Sequence, residues 1–168
     1  FTQNLDIKIE NGGLLDLASF RFSNDLAALR GDGILKLSSA SFPTAVLNTF
    51  VTTDGGTTEY NHSGTMSATQ AVYYHLSVRS AGTVTQVNNI TLNGDLNVRQ
   101  GTFQINDATA RRLSLVINGS VTVDNGCSIA VGTGGTNSQV SPLGITGSTG
   151  SFLNYYELQS HRIQIYGD

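Results

Sequence analysis

Between residues 89 and 131 the chain writes one pattern of apolar and polar positions twice. The run Asn89-Ile90-Thr91-Leu92-Asn93-Gly94-Asp95-Leu96-Asn97-Val98, with Gly101-Thr102-Phe103-Gln104-Ile105, comes first. It is answered by Leu115-Val116-Ile117-Asn118-Gly119-Ser120-Val121-Thr122-Val123 and Gly126-Cys127-Ser128-Ile129-Ala130-Val131. Asn93 and Asn118, Leu96 and Val121, Val98 and Val123, and Gly101 and Gly126 all stand 25 positions apart. Apolar residues alternate with polar ones, the period of a strand with one buried face. Three short strands joined by Asn-Gly or Gly corners are how one coil of a β-solenoid is written. The predicted inward residues here are Ile90, Leu92, Leu96, Val98, Phe103, Ile105, Leu115, Ile117, Val121, Val123, Ile129 and Val131.

The same spacing extends the pattern backwards. Ile7 and Ile9 alternate, Asn11-Gly12 turns, and Leu15 and Leu17 alternate again. The intervals from Ile9 through Gly12 and Leu15 to Leu17 are those from Val123 through Gly126 and Ile129 to Val131. Phe20 and Phe22 continue with period 2, inward. Residues 25–30 are the best helical turn in the chain, stopped by Gly31, and are predicted as a corner excursion. Residues 45–51 read as a short surface helix or a loop, 57–61 as a strand with an aromatic anchor, and 62–72 as a loop. Leu76 and Val78 open the regular coils of residues 73–131. Leu76 to Leu96 makes a coil of 20 residues and Leu96 to Val121 one of 25, the excess falling in the corner at residues 108–112.

Residues 132–160 are glycine-rich and read as an insertion, either a mobile loop or an extension held by Phe152, Leu153, Tyr155 and Tyr156. Ile163 and Ile165 return to the stack within a strand at 161–168. The expected fold is therefore all-β: one domain, a right-handed parallel β-helix (β-solenoid) with irregular coil lengths, its residues 1–72 less regular than 73–131. The hand follows from the rule for parallel crossovers. A β-sandwich is the alternative. The opening at Phe1 and the stop at Asp168, where another strand should start, suggest a piece of a longer protein whose further coils are its neighbours.

Composition narrows the function. Charged residues are 12% of the chain, while 19 Gly, 19 Thr, 17 Ser and 14 Asn dominate, so hydroxyls and amides must cover the surface. A net charge of −3 offers no basic field, which excludes nucleic acid and anionic membrane as natural partners. No apolar run is long enough to enter a membrane as a helix. Cys127 is the single cysteine, so no intrachain disulfide forms.

Residues 55–105 resemble a recurrent module of very large secreted surface proteins of Bacteroidota, including gliding bacteria. The resemblance is carried by Gly55-Gly56-Thr57-Thr58-Glu59-Tyr60-Asn61, Tyr73-Tyr74-His75-Leu76-Ser77-Val78, the run Ile90 to Val98, and Gly101-Thr102-Phe103-Gln104-Ile105. Residues 161–168 look like that module's return strand, and the segment Leu35-Lys36-Leu37-Ser38-Ser39-Ala40-Ser41-Phe42-Pro43 is similar to segments of such proteins. The resemblance implies a parallel β-helix, export by a type IX-type route, and a passive or adhesive surface role. It supplies no catalytic residue.

Parallel β-helices also serve polysaccharide lyases and hydrolases, which gather carboxylates on one outer face. Asp95, Asp107 and Asp124 fall on different parts of the coil, and no Asp-Asp or Asp-x-Asp pair occurs. They read as turn or surface residues. His62, His75 and His161 lack metal-ligand spacing, and His75 is predicted to point outward. Cys127 takes the place of Thr102 one coil on and reads as a packed thiol. Gly132-Thr133-Gly134-Gly135-Thr136 lacks the lysine of a phosphate loop. Asn61, Asn89 and Asn118 each open an Asn-x-Ser/Thr triplet; the two inside the repeat, at Asn89 and Asn118, are explained by turn chemistry. Two contacts remain as candidates: Arg111-Arg112 toward an anionic glycan, and Tyr155-Tyr156 stacking on sugar rings. No cofactor is predicted. The expected function is a non-enzymatic stalk, adhesin or filament segment meeting other surface proteins or glycans; a carbohydrate-binding or polysaccharide-degrading β-helix is the alternative.

Overall fold

The computed structural model describes residues 5–105, 113–131, 139–145, 151–153 and 162–163. Among these residues there is no helix, and every strand pair is parallel. The chain winds as a β-solenoid. Its coils carry, in turn, β1 (Asp6–Ile9) and β2 (Leu14–Asp16); β3 (Leu26–Gly31) and β4 (Ile34–Leu37); β5 (Ala45–Asn48), β6 (Thr57–Tyr60) and β7 (Gly64–Thr65); β8 (Val72–Tyr73) and β9 (His75–Gln86). Then follow β10 (Ile90–Leu92) and β11 (Leu96–Ile105); β12 (Ser114–Val123) and β13 (Ser128–Val131); β14 (Gln139–Ile145) and β15 (Ser151–Leu153); and β16 (Arg162–Ile163).

The strands stack on three sides. Side two is a continuous ladder: β2, β4, β6, the first halves of β9 and β11, then the second half of β12 and the end of β14. Side three stacks β7, the second halves of β9 and β11, β13 and β15. Side one has two runs, β1-β3-β5 and β8-β10-β12-β14-β16, with no pairing between β5 and β8. In the first two coils side three holds no strand; residues 17–25 and 38–44 cross it as turns and irregular chain.

Register settles the repeat. Leu96 pairs with Leu76 below and Val121 above, at the expected offsets of 20 and 25. On side three the offset is 26: Thr102 pairs with Ser128, not with Cys127. The turn after Val123 holds one more residue than its counterpart, which moves Cys127 into the corner, where it is buried in the core.

Fifteen predicted inward residues, Ile9, Leu17, Leu76, Val78, Ile90, Leu92, Leu96, Val98, Phe103, Ile105, Leu115, Ile117, Val121, Val123 and Ile129, lie in one buried core. Ile7 and Leu15 are partly buried against it. At about 1.5–3 kcal/mol for each fully buried aliphatic side chain, this column is the main stabilising term. Of the remaining predicted core, Val131 belongs to β13 and Ile163 to β16, while Ile165 lies outside the described residues.

Local propensity fails in four places. Residues 26–31 are strand β3, not a helical turn, because pairing with β1 on one edge and β5 on the other outweighs a helix too short to sustain itself. Residues 45–48 are strand β5, paired with β3 along one edge. The expected loop at 62–72 contains β7 and the start of β8. Within the expected insertion, β14 pairs with β12 and β15 with β13, so the stack continues through it.

The corner glycines divide into two kinds. Glu10-Asn11-Gly12-Gly13 and Asp124-Asn125-Gly126-Cys127 close with Gly13 N–H to Glu10 O at 2.8 Å and Cys127 N–H to Asp124 O at 3.0 Å. Gly12 (φ +75°) and Gly126 (φ +79°) take the third position of a type II turn, which favours glycine. Gly94 and Gly119 have no positive φ. Their requirement is room: a Cβ on Gly94 would lie 2.6 Å from His75 Nδ1, and one on Gly119 would lie 2.6 Å from the Gly94 carbonyl carbon. Asn118-Gly119 is also not a break between strands but a register shift inside β12.

Candidate functional site

Outside the core, many polar side chains join one coil to the next. Asp95 Oδ1 accepts from Ser120 N–H at 2.8 Å, and its own N–H donates to His75 Nδ1 at 2.9 Å. A nitrogen that accepts that bond carries a lone pair, so the 3.4 Å approach of Asp95 Oδ2 to the same Nδ1 is not a charged contact. His75 is therefore half-buried in a corner column rather than pointing freely outward. Asn89 Oδ1 accepts from Ser114 N–H at 2.9 Å, and Asn61 Oδ1 from Ser38 Oγ at 2.7 Å. Two glycosylation-like triplets thus have their asparagine carbonyls in structural use.

Ion pairs follow the same rule. Arg30 meets Asp6, Lys36 meets Asp16 at 2.8 Å, Arg79 approaches Glu59 at 3.8 Å, and Arg99 meets Asp124 at 3.0 Å, each one coil apart. The carboxylates are distributed along the stack. Among the described residues no group of three His, Cys, Asp or Glu could hold a metal ion. No helix is long and apolar enough to cross a membrane. Asp107, His161, Arg111, Arg112, Tyr155 and Tyr156 lie outside the described residues.

One region differs in its backbone. Where side three lacks a ladder, residues 17–22 and 41–44 enclose a cavity of about 180 Å³. Leu17 and Phe42, each 7% exposed, close the core beneath it. Phe20 was expected inward but is 60% exposed; its ring stands edge-on to Phe22, with centroids 5.2 Å apart. The cause is local. Ala18 has φ +47°, in the left-handed region that costs a side-chain-bearing residue roughly 1–2 kcal/mol. Its N–H donates to Asp16 Oδ1 at 2.8 Å, and its carbonyl accepts from Ser38 N–H at 3.0 Å. That turn breaks the period-2 alternation before Phe20. Hydrogen bonds from Lys36 and from the Ala18 N–H hold the Asp16 carboxyl below its ordinary pKa range.

Arg21 stands on the rim of this cavity, exposed. Among the described residues it has no carboxylate within ion-pair distance, unlike Arg30, Arg79 and Arg99. The cavity thus combines aromatic surface, an unneutralised guanidinium and the hydroxyl of Ser41, while the Thr44 hydroxyl is donated to the Asp25 carboxylate at its edge. It was not foreseen, since its two walls lie some twenty residues apart and meet only through the coil length.

Comparison with protein-family models, with curated proteins and with solved structures finds no match.

Proposed function

We propose that this chain is a non-enzymatic structural and adhesive segment of a large exported surface protein, a rigid stalk or filament element. The observation that carries the reading is the continuity of side two from β2 to the end of β14. Each inner coil shares its edges with two neighbours, so the stack behaves as a one-dimensional rod. Rows of cross-coil ion pairs and hydroxyl bonds, such as Thr102 to Ser128 at 2.9 Å, stiffen the outer surface without concentrating charge. The resemblance of residues 55–105 to secreted surface modules supports export.

The test has two arms. Protease shaving of intact producing cells should release peptides of this chain, and electron cryomicroscopy of the surface material should place it within an elongated rod. Its absence from the shaved fraction removes the surface reading. Turnover of a polysaccharide panel, by hydrolysis or β-elimination, at a rate abolished by one Asp substitution would overturn the non-enzymatic reading.

A further inference from the structure

We propose that the cavity on side three of the first two coils binds a carboxylated sugar residue of an acidic polysaccharide. Three independent features meet there. The first is shape: about 180 Å³ is room for a single ring, below the size of pockets that swallow whole cofactors. The second is an aromatic platform, since Phe20 is oriented by Phe22 yet 60% exposed, and a ring presented in this way stacks against the C–H face of a pyranose. The third is charge. Arg21 keeps its five donors free of any carboxylate among the described residues, in a protein where Arg30, Arg79 and Arg99 are each paired. A guanidinium on such a rim recognises a carboxylate in bidentate fashion.

The backbone supports the same assignment. Ala18 is held at φ +47° by hydrogen bonds to Asp16 and from Ser38. Its effect is to carry Phe20 and Arg21 away from the core, and strain of this kind accumulates at ligand clamps. A peptide partner fits less well. Extended peptides add to a strand edge, and residues 17–25 and 38–44 offer none. The site does not depend on the stalk reading: it would exist equally on a free-standing binding module.

The probes are trigalacturonate, a hyaluronan tetrasaccharide and the methyl ester of trigalacturonate, titrated into the intact chain and followed by amide chemical shifts. At least one acidic probe should shift amides of residues 17–22 and of Ser41, Phe42 and Thr44 with a dissociation constant of roughly 1 mM or tighter. Methyl esterification, or Arg21→Gln, should weaken that binding by about tenfold. Phe20→Ala should weaken acid and ester alike. Both side chains are exposed, so unchanged thermal unfolding of the variants verifies that the fold is intact. The proposal is overturned if neither acidic probe binds at about 10 mM, if acid and ester bind equally, or if an acidic aromatic peptide occupies the cavity while the sugars do not.

Discussion

In the coils of residues 75–131 side three is a ladder, and Val84, Phe103 and Ile129 stack on one another beneath it. In the coils of residues 6–48 that side is crossed by irregular chain, and Leu17 and Phe42 close the core instead. Both solutions exclude water, but they leave different surfaces. A ladder commits every second residue inward and satisfies the backbone through its neighbours. Irregular chain bonds partly within itself, as at Phe20 N–H to Leu17 O (2.7 Å), and only at points to the next coil, as at Ser38 N–H to Ala18 O (3.0 Å), so it is free to turn large side chains outward. Side two holds the coils together in both regions, so side three can be released for recognition.

The sharpest test of this contrast uses one aromatic residue from each region. Phe103 is fully buried within the ladder, so Phe103→Ala should cost about 3–5 kcal/mol. Phe20→Ala, on the irregular side, should change stability by no more than about 0.5 kcal/mol. Urea midpoints of the two variants measure this directly. Comparable losses would mean that Phe20 is structural and the two regions are built alike.

Glycines provide the next test, because they are needed for different reasons along the stack. Gly31 combines φ +102° with a Cβ position that would collide with the Ile9 carbonyl oxygen. Backbone cannot move aside cheaply, and Gly31→Ala should cost about 2–4 kcal/mol, the strain and overpacking contributions together. Gly126→Ala meets no atom within 4 Å and carries the conformational cost alone, about 1–2 kcal/mol. Equal losses in thermal unfolding would show that crowding between coils has been overestimated.

A third test separates the buried from the exposed polar groups. Tyr60 and Tyr73 are fully buried, their hydroxyls 3.0 Å apart, and Ser67 N–H donates to Tyr60 at 3.3 Å. Burial raises the pKa of Tyr60, and burial with the neighbouring Tyr60 raises that of Tyr73 well above its ordinary 10.0. For acids kept neutral in the folded state, stability is fully present below the unfolded pKa near 10 and declines as pH rises beyond it. Alkaline difference spectra should therefore show Tyr60 and Tyr73 ionising only on unfolding. Tyr60→Phe, which leaves two buried partners unsatisfied, should cost about 1–2 kcal/mol.

How much of this was legible in the sequence follows from the range of each interaction. The alternation at Leu96-Asn97-Val98 and its echo 25 positions on are consequences of a period-2 backbone, and they gave the solenoid and most of its core. Residues 26–31 misled, since Leu-Ala-Ala-Leu-Arg is locally helical and only the strands on either side reveal it as β. The one-residue slip that separates Thr102 from Cys127 depends on a turn whose length no apolar pattern records. Phe20 followed the alternation on paper; the Asp16–Ala18 turn that reverses it is a hydrogen bond, invisible to hydropathy. The cavity required the superposition of residues 20–22 and 41–44, which is a product of coil length rather than of any motif.

The smallest effect tests whether that turn controls the recognition side. Asp16 is exposed, and its carboxyl is held below its ordinary 3.8 first by the Lys36 hydrogen bond and then by the Ala18 N–H. A depressed carboxyl contributes stability that is fully present above the unfolded pKa and is lost as pH falls through the folded one. Solvent screening limits such a surface pair to about 0.5 kcal/mol of global stability, so the unfolding midpoint should scarcely respond between pH 5 and pH 3. The local response should be plain: amide shifts of Ala18, Phe20 and Arg21 should titrate together with a midpoint below 3.8, while those of Phe103 and Ile129 remain still. Asp16→Asn, whose side-chain oxygen can still accept from Ala18 but no longer draws Lys36 as an ion, should abolish the titration and preserve the turn. If Phe20 and Arg21 do not follow Asp16, the turn is not what presents them, and the irregular side holds its shape by packing on Leu17 and Phe42 alone.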